Sequence, residues 1–108
     1  MRKGYLAEYQ AKQKLAQEYG KENVIKVAIG GATDYIIVSG SQIVKIVEVK
    51  SAKKKWYPKP REKIQIQRII DFARRHNIKA ELWLKEGKKW SILPLFPFLF
   101  SSLAQNKA

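Results

Sequence analysis

The stretch that most constrains how this chain can fold is Ile43-Val44-Lys45-Ile46-Val47-Glu48-Val49-Lys50-Ser51, a β-branched run ending in a carboxylate and an ammonium two residues apart. Branching at Cβ favours extended backbone, so the run reads as a strand. Alternation then puts Glu48 and Lys50 on one face and Val47 and Val49 on the other. Buried charge is costly unless a partner, a metal or a hydrogen-bond network compensates it. The strand end is therefore either an ion pair at an exposed edge, a pattern short enough to recur by chance, or a position built for chemistry.

The neighbouring segments supply partners. Val24 to Ile29 reads as a first strand, Gly30-Gly31 as a break that lets backbone bend or approach a ligand, and Asp34 to Val38 as a second strand. Ser39-Gly40-Ser41-Gln42 is the turn into the Glu48 strand. An antiparallel hairpin with a loop of about five residues sets Asp34 opposite Glu48; with about four, Asp34 faces Val47 and misses the charged face. Residues 4 to about 19 read as a helix stopping at Gly20, with Tyr5, Tyr9, Leu15, Ala16 and Tyr19 in one stripe and Glu8 inside it. Glu8 either pairs with Lys12 or is a metal-organising acid presented to a strand. Glu62 to about Asn77 is a second helix, with Ile66, Ile69, Ile70 and Ala73 as its packing stripe, Gln65 and Phe72 at the edge, and Arg68, Arg74 and Arg75 outward. Ala80 to Lys85 and Lys89 to Leu93 form a last hairpin about Glu86-Gly87-Lys88, with Trp83 and Trp90 as core or interface residues.

The expected order is α-β-β-β-α-β-β: an α/β fold with a central mixed five-stranded sheet flanked by helices. At 108 residues the chain is one domain, 1–108. Residues 94–108, broken by prolines and rich in phenylalanine, read as a docked or dimer-interface tail.

Charge narrows the partner. With 22 Lys and Arg against 9 Asp and Glu, the net charge of +13 points to a polyanion, nucleic acid ahead of an anionic membrane. A membrane role would need a long apolar span or a basic amphipathic helix, and the sequence has no run of about 18 apolar residues. The absence of cysteine and of an N-terminal signal-peptide pattern fits an intracellular, cytoplasmic and nucleoid-associated protein. The loop from Lys53 to Arg61 sets Lys53, Lys54 and Lys55 beside Trp56 and Tyr57, a composition suited to phosphate contact plus stacking or a groove wedge. Arg68 on the second helix could touch phosphate as well. The lone histidine, His76, lies near a helix end and is assigned no role.

Glu8, Asp34 and Glu48 with Lys50 make three carboxylates and one ammonium that can converge at one end of the hairpin. Hard oxygen donors without His or Cys suit Mg²⁺, with Mn²⁺ able to substitute, and argue against zinc. Such a set on a +13 chain reads as phosphodiester hydrolysis, with lysine orienting or helping to deprotonate a metal-bound water and adding positive charge to the transition state. Cys-based nucleophiles are excluded, Ser/His chemistry has no placed partner, and no Walker-type phosphate loop occurs.

The spacing Asp34…Glu48-Val49-Lys50 is similar to the core of the PD-(D/E)xK nuclease superfamily. More narrowly, Arg2-Lys3-Gly4-x-x-Ala7-Glu8, the glycine-rich approach to Asp34, the Glu48-Val49-Lys50-Ser51 stretch with lysines following, and Phe72-Ala73-Arg74-Arg75 resemble the archaeal-type Holliday junction resolvases, over about residues 2–93. The resemblance implies a restriction-endonuclease-like fold and a homodimeric, Mg²⁺-dependent enzyme placing symmetric nicks in branched, four-way double-stranded DNA. It implies that Glu8, Asp34 and Glu48 organise metal, that Lys50 is the catalytic lysine, and that Arg2, Lys3 and Lys53 to Lys55 contact DNA. Gln65 lies where many relatives carry a glutamine that supports the site. Relatives often carry a serine just before the aspartate, where this chain has Gly30-Gly31-Ala32-Thr33, and the chain ends sooner than a typical member. Dimerisation is expected through Phe72, Trp83 and the Leu95 to Phe100 segment. A nuclease of the same superfamily acting on another DNA structure, and a non-catalytic nucleic-acid-binding domain, are the alternatives.

Overall fold

The computed structural model describes residues 5–29 and 32–95, without the side chains of 5, 28, 29 and 32–34. The elements run α1 (Tyr5–Tyr19), a 3₁₀ turn (Lys21–Asn23), β1 (Val24–Ile29), β2 (Ala32–Ser39), β3 (Gln42–Ala52), α2 (Pro60–Arg75), β4 (Lys79–Glu86) and β5 (Lys89–Pro94). The strands form one sheet in the order β1-β2-β3-β4-β5. All neighbours are antiparallel except β3 and β4, which are parallel and joined through α2. The protein is thus α/β, with a mixed five-stranded sheet and two α-helices among the described residues.

Successive strand residues face opposite sides, and each side has its own core. Tyr35, Ile37, Val47 and Trp83 pack with Ala11 and Leu15 of α1. Ile46 and Ala80 pack with Ile69 and Ala73 of α2, and Ile36, Phe72, Ile78 and Leu95 add to that side. The helices therefore cover opposite faces, and the middle strand β3 is buried from both.

The α2 stripe is the expected one: Ile66, Ile69, Ile70 and Ala73 are all buried. The α1 stripe is not. Its buried residues are Ala7, Ala11 and Leu15, four apart, whereas Tyr9 is 50% exposed. Small side chains let helix and sheet approach closely, and a tyrosine ring would hold them apart; of the expected stripe, Leu15 is fully buried and Tyr19, at the last turn, packs against the core. There Lys45 donates to the Tyr19 hydroxyl at 2.7 Å and pairs with Glu81 at 3.3 Å, and Trp83 Nε1 donates to Glu81 at 3.1 Å. Burial pushes the Lys45 ammonium down, but Tyr19 and Glu81 outweigh it and hold it above its ordinary value.

Both helices end by recognisable devices. Gly20 closes α1 at φ 94°, a conformation open to glycine. At the end of α2, Asn77 adopts φ 55°, its N–H donates to the Arg74 carbonyl, and Ile78 N–H reaches back to Ala73 at 2.8 Å. This is a Schellman ending, and it seats Ile78 against the α2-side core.

Trp83 is only 4% exposed and Phe72 is half-buried against the α2-side core, so neither offers the exposed apolar surface expected for dimerisation. Each fills the face of the sheet that its own alternation or helical phase selects. Leu95 is half-buried, with its N–H donated to the Ala80 carbonyl at 2.9 Å; the rest of the expected tail, 96–108, lies outside the described residues. No helix among the described residues is long and apolar enough to cross a membrane.

Candidate active site

The register of β2 against β3 places Asp34 opposite Glu48. It reaches that pairing by an unexpected route. The connection is a two-residue turn, Gly40-Ser41, between the paired Ser39 and Gln42, with Gly40 at φ 61° in the manner of a type II′ hairpin. Continued without interruption, that pairing would bring Asp34 opposite Val47. Instead Val38 pairs with Ile43 and Ile37 with Lys45, leaving Val44 as the extra residue of a β-bulge. The bulge shifts the register by one and sets the two acidic positions side by side.

Glu48 is the only buried charged residue among those described, at 2% exposure. It lies on the middle strand, with Asp34 as its register partner on one side and the buried Leu82 on the other. Its Oε1 is 3.8 Å from Lys50 Nζ, and its Oε2 has no hydrogen-bond partner. A buried carboxylate oxygen left unmatched costs about 1–3 kcal/mol or more. Lys50 in turn lies 3.5 Å from Glu62 of α2, so its ammonium is flanked by two carboxylates.

Glu62 owes its position to the helix start. Pro60 opens α2, and Glu62, in the first turn, reaches back to accept the Lys59 backbone N–H at 3.0 Å. Burial pushes its carboxyl up, but the Lys59 N–H, the Lys50 charge and the Trp56 side chain outweigh it and hold the group below the ordinary carboxylate range.

Glu8 comes from the helix on the opposite side of the sheet. It pairs with Lys26 of β1 at 3.8 Å, not with Lys12, which is exposed. Its charge joins burial in pushing up the Tyr35 hydroxyl, burial being the larger cause. Glu8 and Lys50 nevertheless line one open cleft of about 570 Å³, with Glu62, Lys53, Lys55, Trp56, Tyr57 and Lys59 around it. Lys53, Lys54 and Lys55 are exposed. Trp56 is half-buried, and its backbone N–H is held by the Glu86 carboxylate at 2.8 Å. Gln65 is half-buried one turn beyond Glu62, and Arg68 lies exposed further along α2. Arg2, Lys3 and the Asp34 carboxylate lie outside the described residues and atoms.

Among the described residues no group of three side chains is gathered to hold a metal ion. Glu48 Oε2 is nonetheless an unmatched, buried, hard oxygen donor beside a second acidic position, which fits Mg²⁺ or Mn²⁺ and not a thiophilic ion.

Of the residues lining the cleft, Glu62 escapes sequence reasoning as a site residue, and Tyr57 is read only in part. Glu62 is readable as the acidic residue of a first turn after proline, but its pairing with Lys50 joins separate elements. Tyr57 is visible only as one of two adjacent aromatics, and the fold decides which is exposed: Tyr57 at 68%, with Trp56 turned inward. No protein-family model matches the chain, and no curated protein is similar to it.

Proposed function

We propose that the protein is a divalent-metal-dependent DNA endonuclease of the PD-(D/E)xK type, cutting four-way junctions by phosphodiester hydrolysis. One observation carries this reading: Glu48 is buried with an orphaned oxygen, paired in register with Asp34 and followed two residues later by Lys50. A sheet that holds this acidic pair on adjacent strands, with a helix on each face, also supports the superfamily assignment.

Glu48 and Asp34, with Glu8 of α1, would hold Mg²⁺. Held there, Mg²⁺ would supply a more acidic bound water and positive charge opposite the scissile phosphate. Lys50 presents its ammonium at the cleft, where negative charge builds up on the phosphoryl oxygens. Glu62 fixes that ammonium from the side away from β3. The lysines at 53, 54 and 55 attract the backbone phosphates and bring the scissile bond to the strand end. A four-way junction is two-fold symmetric and must be cut twice, a requirement met by two copies of this chain related by a two-fold axis. The setting is the intracellular DNA of the nucleoid.

The test is cleavage of a labelled four-way junction and a matched linear duplex, with Mg²⁺ or EDTA, by the wild type and Glu48→Ala. Paired nicks in the junction alone, lost with EDTA and in the variant, are expected. Equal cutting of both substrates would make the protein a general nuclease. Tight binding without any cutting would make it a non-catalytic DNA-binding domain.

A further inference from the structure

The loop between β3 and α2 presents an aromatic ring that the fold does not use. Tyr57 is 68% exposed, whereas Trp83 in the core is 4% exposed and Trp56 is turned inward. The ring is held out by stiff backbone. Pro58 restricts Tyr57 to extended conformations, Lys59 is itself extended at φ −77° and ψ 162°, and Pro60 begins α2. Behind Tyr57 the loop is fastened to the β4–β5 hairpin by the Trp56 N–H to Glu86 hydrogen bond and by Gly87 N–H to the Ala52 carbonyl at 2.9 Å. Little backbone conformational entropy therefore remains for Tyr57 to lose on binding.

The surroundings state what would bind. Tyr57 lines the cleft with Lys50, Lys53, Lys55 and Lys59, against the acids Glu8 and Glu62, so cations outnumber anions. The Lys55 ammonium lies 5.7 Å from the centre of the Tyr57 ring. An exposed aromatic ring with the Lys55 ammonium over one side and other lysines about the cleft matches a nucleotide, whose base offers a π-face to the ring's other side and whose phosphate offers charge. At about 570 Å³ the cleft lies within the size range of small-ligand sites. In an intact duplex both faces of each base are covered by its neighbours, so only an unpaired or splayed base can use the ring.

We infer that Tyr57 is a stacking platform for an unpaired DNA base at the mouth of the Lys50 cleft, and that it makes the protein prefer DNA containing such a base over fully paired duplex. The inference rests on the endonuclease reading for its choice of DNA as ligand, and it adds a specificity-determining residue that touches a base and takes no part in hydrolysis.

The experiment measures binding by fluorescence anisotropy in EDTA at one salt concentration, using a fully paired duplex and the same duplex with one unpaired nucleotide. Wild type, Tyr57→Phe and Tyr57→Ala are compared. The wild type should bind the bulged duplex on the order of 10-fold more tightly, Tyr57→Phe should keep that preference, and Tyr57→Ala should lose it while holding paired duplex almost as well. Equal weakening on both DNAs, or no preference in the wild type, overturns the inference. Because binding is read without metal, the two readings fail separately. Ring-dependent preference in a protein that never cuts when Mg²⁺ is restored leaves the platform standing and removes the nuclease, and metal-dependent cutting with binding indifferent to Tyr57 does the reverse.

Discussion

Glu48 gives the most direct residue-scale test. Its orphaned oxygen destabilises the apoprotein, and a bound divalent ion should relieve that cost. In EDTA, Glu48→Ala should therefore melt close to the wild type, even though a cavity of a few methylenes is introduced. Adding Mg²⁺ to about ten times its Kd should stabilise the wild type by roughly 1.4 kcal/mol, several degrees in Tm, and leave Glu48→Ala unmoved. An equal rise in both would show that the ion binds elsewhere. Glu62 makes a separate prediction through pH. Its folded-state pKa is depressed below the ordinary 4.5, so its contribution is fully present above that value and is lost as pH falls through the depressed folded value. Glu62→Gln, which still accepts the Lys59 N–H but loses the Lys50 charge pair, should be less stable at neutral pH by about 1 kcal/mol. Urea titrations of the two proteins should converge as the pH falls through the depressed folded-state value of Glu62.

At the scale of elements, the β2–β3 hairpin carries the candidate site, and its bulge is what sets Asp34 opposite Glu48. Deleting Val44 removes the unpaired residue and leaves Ile37 opposite Lys45 and Asp34 opposite Glu48, so the fold and the response to Mg²⁺ should survive. Deleting Ile46 shortens the strand by the same amount with a different result. Keeping Asp34 opposite Glu48 would then move Lys45 into the buried position facing α2, at a cost of several kcal/mol. Urea midpoints of the two deletions check this; equal loss would mean that the bulge does not set the register. The same hairpin shows how far sequence could reach. The strand and its charged face were legible because β-branched residues alternate with charge, but the register was not, since a tight turn plus a bulge reaches the pairing assigned to a longer loop. The α2 stripe was legible because four residues of its face include three isoleucines. The α1 stripe was not, because Ala7 and Ala11 carry little hydrophobic signal beside Tyr5 and Tyr9, and it is their smallness that lets the helix sit down.

For the whole molecule, the governing quantity is the charge of +13, legible from composition alone, and the proposed polyanionic partner rests on it. Composition could not say where the charge matters. Several lysines are committed within the protein: Lys45 to Tyr19 and Glu81, Lys50 to Glu48 and Glu62, Lys26 to Glu8, and Lys85 to Gln10 at 2.6 Å. These lysines also hold helix to sheet or carboxylate to carboxylate, so replacing them would mix folding with binding. Lys53, Lys54 and Lys55 are the cleaner probe, being consecutive and exposed, with Lys53 and Lys55 lining the Lys50 cleft. Each phosphate contact steepens the logarithmic salt dependence of duplex binding by about 0.9. The triple alanine variant should therefore bind paired and branched DNA more weakly by similar factors, and its slope against salt should be shallower by about 2–3. Its melting temperature should stay near that of the wild type, because exposed side chains away from core and caps contribute little to stability. Weakening confined to branched DNA would instead make these lysines selectors of DNA shape, and an unchanged slope would move the phosphate path to another face, with the arginines of α2 next in line.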